Sequence, residues 1–355
     1  MRVSASLPRC AHQYRSRTPY FDIAVFFENN CHPPKFCLSL SHGRAERPPT
    51  ASEEAMAPIV HAVGHLKILV SDPDAVIRDA TEILGLHVTN RQEGQTWLSS
   101  NGRSAELVLL HAGENATHTI GLEALTVEAV RAAEARVAQL GCRIESSQPS
   151  LTCMAAGVTF TTPEGLRFEI HTPVKDTIYG RRQPSTGVGA NRMDHINLIT
   201  PDPAATRSQL EGIGGLMLSE RLVDDSLSWM YGGNRQHHIL GLVKGVVGLH
   251  HYSFEFLEFN QYLRLGDTLD RFDRQMLWGP GRHRPGDNTY AYYIDAAGAM
   301  VECSGAMALV ADDATFVPNV ITNLQRPGNV RQMNVWGTPA PLEWRTHHFP
   351  FAAIG

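Results

Sequence analysis

"GHLKILVSDPDAVIRDATEILGL" at residues 64–86 and "DHINLITPDPAATRSQLEGIGGL" at 194–216 share one plan. Each opens on an alternating apolar stretch that reads as a strand, turns through an Asp-Pro step, and continues as an amphipathic helix closed by glycine. The likeness extends downstream: "TIGLEALTVEAVRAAEARVAQLG" (119–141) parallels "HYSFEFLEFNQYLRLGDTLDRF" (251–272), again a strand followed by a long helix. "GVTFTTPEGLRFEIHTP" (157–173) parallels "TYAYYIDAAGAMVECSG" (289–305), each a hairpin turning at a glycine with an acid four residues beyond it. The pairs His65/His195, Thr119/His251 and Glu169/Glu302 are offset by 130, 132 and 133 residues. Spacing this constant implies an internal duplication. Each copy holds two strand-helix-strand-strand modules, so the expected class is α+β, with tandem βαβββ modules building curved mixed sheets.

The repeat sets the expected organisation. Residues 57–173 form a first domain, "VKDTIYGRRQPSTGVGAN" (174–191) a linker rich in Gly, Pro and polar residues, 192–310 a second domain, and 311–355 a loop-like tail expected to wrap over the barrel of the second copy or to join a subunit contact. Residues 1–56 read as an extension without stable fold, because a clean strand pattern starts only with "MAPIVHAVGHLKILV". The alternative is a targeting segment, since "MRVSASLPRCAHQYRSRTP" has arginines and serines and no acids; the "YFDIAVFFENNCHPPKFCLSL" that follows lacks helical amphipathicity.

Composition narrows the function classes. With 43% hydrophobic and 19% charged residues, the chain can bury a sizeable core. A formal charge of −5 and a pI near 6.4 leave no broad basic surface for nucleic acid. No apolar run approaches the ~20 residues that cross a bilayer. The six cysteines (Cys10, Cys31, Cys37, Cys142, Cys153 and Cys303) have neither paired nor CxxC spacing. They read as free thiols in a reducing, cytoplasmic setting. Histidine stands out at 17 copies and directs attention to metal or proton chemistry.

The second copy carries His195 on its first strand, His251 at the start of a later strand, and Glu302 at the end of a hairpin. Taken singly, each such residue is more often a satisfied polar group than a ligand. Together, on separate strands of a repeated module, two imidazoles and one carboxylate make a three-ligand site with positions left open, suited to non-haem iron. The first copy has His65, Thr119 and Glu169; a threonine cannot replace an imidazole, so that copy is expected to hold no metal. In "GLHHYSFEF" (248–256), strict alternation would turn one of the paired histidines inward and the other outward.

From about residue 58 to 310 the chain resembles the type I extradiol ring-cleavage dioxygenases of the vicinal oxygen chelate superfamily, the catechol and dihydroxybiphenyl dioxygenases. The motifs that carry the resemblance are "DHINL", "RQHHILGL", "GLHHYSFEF" and "GRHRPGDNTYAYYIDAAGAMVE". The resemblance implies two domains of the glyoxalase/bleomycin-resistance type, with the metal in the second. It makes the second histidine of "LHH", His251, the ligand beside His195 and Glu302. The ion would be Fe(II), with Mn(II) the alternative; closed zinc coordination is disfavoured because no cysteine is placed to help. It also implies that His238 is the acid/base histidine and that His283 and Tyr292 touch the substrate. Asp287 is a further candidate, in a stretch that departs from the family's usual wording.

The implied reaction is extradiol cleavage of a catechol-type diol, with both atoms of O2 retained in a semialdehyde product. It needs a base that accepts a substrate proton and an acid that returns one, for which His238 with a near-neutral pKa would serve. Tyr292 would fix the ring by a hydrogen bond. Alternatives within the superfamily are a 4-hydroxyphenylpyruvate dioxygenase-like enzyme, an isomerase or lyase, and a non-catalytic binding protein. The resemblance also implies a homo-oligomer. Leu240, Phe254 and Trp278 are expected on the pocket wall, and His347 and His348 on the surface of the tail.

Overall fold

The computed structural model describes residues 59–176, 186–311, 316–322 and 333–353. The expected extension, residues 177–185 of the expected linker, parts of the tail, and Cys10, Cys31 and Cys37 lie outside the described residues. Cys142, Cys153 and Cys303 are free thiols.

Two mixed sheets organise the described residues. The first is built from β1 (Val60–Val70), β2 (His87–Gln92), β3 (Gln95–Ser99), β4 (Leu107–His111), β5 (Ala116–Ala124), β6 (Arg143–Ser146), β7 (Gly157–Thr161) and β8 (Arg167–His171). The second contains β9 (Met193–Thr200), β10 (Met217–Leu222), β11 (Leu227–Tyr231), β12 (Leu240–Lys244), β13 (Gly248–Phe256), β14 (Trp278–His283), β15 (Thr289–Ile294) and β16 (Met300–Gly305). The tail adds β17 (Asn319–Ile321), β18 (Asn334–Trp336) and β19 (Phe349–Pro350) to it. The strand orders are β2-β3-β4-β1-β5-β8-β7-β6 and β10-β11-β12-β9-β13-β16-β15-β14, one topology used twice. In both, antiparallel pairing of the two modules' first strands (β1 with β5, β9 with β13) joins the halves of the sheet.

The helices start and stop where the repeat predicts. α1 (Pro73–Asp79) and α3 (Pro203–Gly214) each have proline at the first position and an aspartate cap, Asp72 accepting from Ala75 N and Asp202 from Ala205 N, both at 3.0 Å. α1 runs on as a π-turn to Gly85 (φ 84°), and α3 ends at Gly215 (φ 63°), left-handed positions that glycine takes without strain. α2 (Val127–Val137) and α4 (Asn260–Arg271) are the longer helices of the other modules. A single cluster of buried apolar residues runs from Val60 through both sheets to Phe349. No helix among the described residues is long and apolar enough to cross a membrane.

The sheet concavities hold histidines where side chains would otherwise stand. His65 lies opposite Gly121 in the β1–β5 register, and a Cβ on Gly121 would fall 2.1 Å from His65 Nδ1. Gly121→Ala is therefore expected to cost about 1–3 kcal/mol through overpacking, read from the denaturant midpoint at unchanged slope.

Buried Asp295 ties down the β15–β16 turn by accepting from Ala297 N and Ala299 N, and it receives the Tyr252 hydroxyl at 2.7 Å. Burial, and then the nearby Asp79 carboxylate, raise its carboxyl from 3.8 to about 7. The folded chain thus binds this proton more tightly than the unfolded chain, so the site subtracts stability as pH rises from 3.8 to about 7. Asp295→Asn should flatten that part of the stability profile in unfolding measured across the same pH range; an unchanged slope would contradict the assignment.

Candidate metal centre

His195, His251 and Glu302 lie on β9, β13 and β16, three consecutive strands of the second sheet. His251 pairs with Asn197 across the β9–β13 ladder, and Glu302 pairs with Ser253 on β13 and Tyr292 on β15. One ligand atom from each of the three residues lies within 4.8 Å of the others, and all three residues are buried. Glu302 Oε2 is 3.0 Å from both His195 Nε2 and His251 Nε2, and the two Nε2 atoms are 3.3 Å apart. Two imidazole nitrogens and a carboxylate, without a thiolate, could hold a divalent ion with open positions. Cys303, the nearest cysteine in sequence, turns into the apolar core.

Electrostatics favour a cation at this point. His195 Nδ1 donates to Asp194 Oδ2 at 2.9 Å, so Nε2 is the atom that faces Glu302. Burial lowers the His195 pKa, but Glu302 and Asp194 outweigh it and lift the value to about 9. Burial pushes Glu302 up, yet the two imidazoles hold it well below the usual carboxylate range. Burial keeps His251 below its ordinary value despite Glu302. In the metal-free protein a proton on His195 therefore supplies the positive charge a metal would replace, and metal affinity is linked to proton release.

The other expected residues gather around this triad. The His238 ring lies edge-on to His195 with centroids 4.5 Å apart. Where a near-neutral pKa was expected, burial followed by His195 and His237 holds His238 well below 6.5. Burial takes His283 down to about 4; its Nε2 is 2.9 Å from the Tyr292 hydroxyl and 3.8 Å from Glu302 Oε1. The Tyr292 ring is 5.3 Å from His251, and burial drives its hydroxyl pKa well above 10.

Several expectations need correction. Both histidines of "LHH" are buried, because β13 shifts register between Leu249 and His251, which breaks alternation, and because the tail covers His250. Asp287 sits away from the triad, paired with Arg282, while its neighbour Asn288 donates to Glu302 Oε1 at 3.1 Å. Leu240 and Phe254 join the apolar core, whereas Trp278 lies in an aromatic cluster with Tyr290 and Tyr292. His348 is exposed as expected, but His347 is half-buried with its Nε2 shielded, and burial followed by His251 takes it down to about 4. Asp194, which orients His195, stands in the quoted motif "DHINL" and could have been found there; Asn334, which receives His283 Nδ1 at 3.3 Å, sits in a tail segment without pattern.

The first sheet shows the equivalent positions. Lys67 pairs with Thr119 as Asn197 pairs with His251, so the alignment of Thr119 with His251 matches the ladder. His65 Nε2 is 3.5 Å from Glu169 Oε2, and His65 Nδ1 contacts His171 Nε2 at 3.1 Å. The Lys67 ammonium binds the hydroxyl of Ser150, which in turn donates to Glu169.

Residues 62–170 match the Glyoxalase/Bleomycin resistance protein/Dioxygenase superfamily, so the chain carries a domain of that superfamily. It is also homologous to a metapyrocatechase of Geobacillus stearothermophilus, 25% identical over 324 residues that cover 80% of this chain and 92% of that protein. A manganese-dependent 2,3-dihydroxybiphenyl 1,2-dioxygenase of Geobacillus genomosp. 3 is 24% identical, over 65% of this chain and 80% of that protein. The homoprotocatechuate 2,3-dioxygenase of Brevibacterium fuscum, solved with 3,4-dihydroxyphenylacetate, shares the fold with a TM-score of 0.73 at 23% identity, over 83% of this chain and 94% of that one.

Titration of the metal-free protein with Co(II), followed by visible absorbance, should show one saturable site. Glu302→Ala is expected to weaken it by more than the ~10–100-fold typical of losing an outer hydrogen-bond partner; wild-type affinity in that variant would remove Glu302 from the ligand set.

Proposed function

We propose that this chain is an extradiol dioxygenase that opens the ring of a catechol-type diol with O2. His195, His251 and Glu302 would hold Fe(II), residues 192–310 forming the catalytic domain and 57–173 a domain without metal. The observation that carries this reading is the convergence of two imidazoles and a carboxylate, their ligand atoms within 4.8 Å of one another, with His238, His283 and Tyr292 around them. The sequence relatives named above support it. When bound, a redox-capable divalent ion acidifies the diol hydroxyls and couples ring electrons to dioxygen. The manganese-dependent relative favours Mn(II) as a second reading of the ion.

This chain's own groups would handle the protons. His238, buried beside His195, would accept a proton from a substrate hydroxyl and return it to the departing oxygen. Asn334 Nδ2 donates to Thr338 O at 2.9 Å, which leaves its Oδ1 as acceptor for His283 Nδ1. His283 Nε2 then accepts the Tyr292 proton, and the Tyr292 oxygen would receive a substrate hydroxyl. Burial of all these groups keeps bulk water from the reacting atoms.

Protein loaded anaerobically with iron should, on admission of air with catechol, 3,4-dihydroxyphenylacetate or 2,3-dihydroxybiphenyl, consume one O2 per diol and form a yellow semialdehyde-type product. His238→Ala should keep its iron and lose turnover by about 10²–10⁴-fold. Full iron loading without oxygen uptake on any diol would overturn the proposal; uptake restored only by manganese would select the second ion.

A further inference from the structure

Only one histidine of the buried pair His250 and His251 belongs to the triad, and the other lies between it and the tail. His250 Nε2 is 3.0 Å from the carbonyl oxygen of Trp344, and His250 Nδ1 is 2.7 Å from His251 Nδ1. Trp344 belongs to the short helix α5 (Leu342–Thr346). Its ring packs 4.8 Å from His250, 4.7 Å from Trp278 and 5.6 Å from Tyr292. On either side of α5 the tail is pinned to the same sheet. Thr338 O accepts from Trp278 Nε1 at 2.9 Å, and β19 pairs with Gly248 and Leu249, the residues just before the histidines.

We propose that His250 is a positioning residue: anchored by the Trp344 carbonyl, it fixes the tautomer and orientation of His251 so that His251 Nε2 faces the metal centre. This inference rests on the triad's holding a metal, as in the function proposed above. The hydrogen bonds allow one arrangement. A carbonyl oxygen can only accept, so the proton of His250 is on Nε2. His250 is 4% exposed, and among the described residues no carboxylate is paired with it, so a second proton there would be an uncompensated buried charge. His250 Nδ1 thus presents a lone pair, and the only group that satisfies it at 2.7 Å is an N–H on His251 Nδ1. A neutral His251 then has its lone pair on Nε2, 3.0 Å from Glu302 Oε2 and 3.3 Å from His195 Nε2. A lone pair facing a carboxylate at that distance repels it unless a cation stands between them, which is the condition a ligand nitrogen meets.

The test uses the full chain and two independent readings, neither of which involves turnover. In protein labelled with 15N-histidine, the imidazole shifts should report His250 protonated at Nε2 without metal, and His251 protonated at Nδ1 once Zn(II) is bound as a diamagnetic probe; the opposite tautomer at either residue overturns the inference, whatever the protein's activity. In Co(II) titrations, His250→Phe, which has neither donor nor acceptor, should lower affinity about 10–100-fold, and His250→Gln, which offers both, should recover most of the loss. Wild-type affinity in His250→Phe, or equal losses in both variants with folded spectra, would overturn it. Absence of Co(II) binding by the wild-type protein would count against the proposed metal centre, and the tautomer measurement would still decide the role of His250.

Discussion

Glu302 is a carboxylate with 1% exposure at the centre of a sheet, and the rest of the second half is arranged around making that tolerable. An isolated buried carboxylate costs several kcal/mol. Here two imidazole nitrogens stand 3.0 Å away, Asn288 donates to the second oxygen, and Asp194 fixes the His195 ring. Such a cluster is stable only with a compensating positive charge inside it, from a proton or a metal ion. That requirement explains why the ligands come from neighbouring strands: adjacent ladder positions hold three short side chains rigidly at a spacing that loops would not keep.

The first sheet answers the same requirement differently. Its topology is the same and its carboxylate, Glu169, is as deeply buried, but the counter-charge is covalently attached as Lys67, reaching Glu169 through the Ser150 hydroxyl. His65 is kept in place by His171, whose Nδ1 is satisfied by Thr172 O at 2.7 Å. A backbone carbonyl orienting one imidazole that orients another thus occurs in both halves, built from different residues.

Much of this was legible in the chain. Asp-Pro caps, closing glycines and near-constant offsets marked the duplicated modules, because helix ends and strand periods obey local rules that tertiary contacts seldom override. The three candidate ligands, and His238, His283 and Tyr292 around them, came from quoted motifs. What escaped depended on non-local geometry. The register shift beside His250 breaks a period of two that sequence reading must assume, and no pattern in "RPGNVRQMNVWGTPAPLEWRTHHFP" shows that its Trp344 carbonyl, Asn334 and His347 return to the site. Asn288 was missed for Asp287 by a single position, in a turn where Asp287 takes a left-handed φ of 55° and local pattern gives no guide to which side chain turns inward.

The tethered ammonium of Lys67 also bears on how a duplicated protein evolves. A histidine arriving at position 119 would find an ammonium group already lodged in the cavity, and loss of that lysine alone would strand Glu169 without a counter-charge. Building a metal centre into the first half therefore needs both changes together, so a barrier on the mutational path separates the two halves.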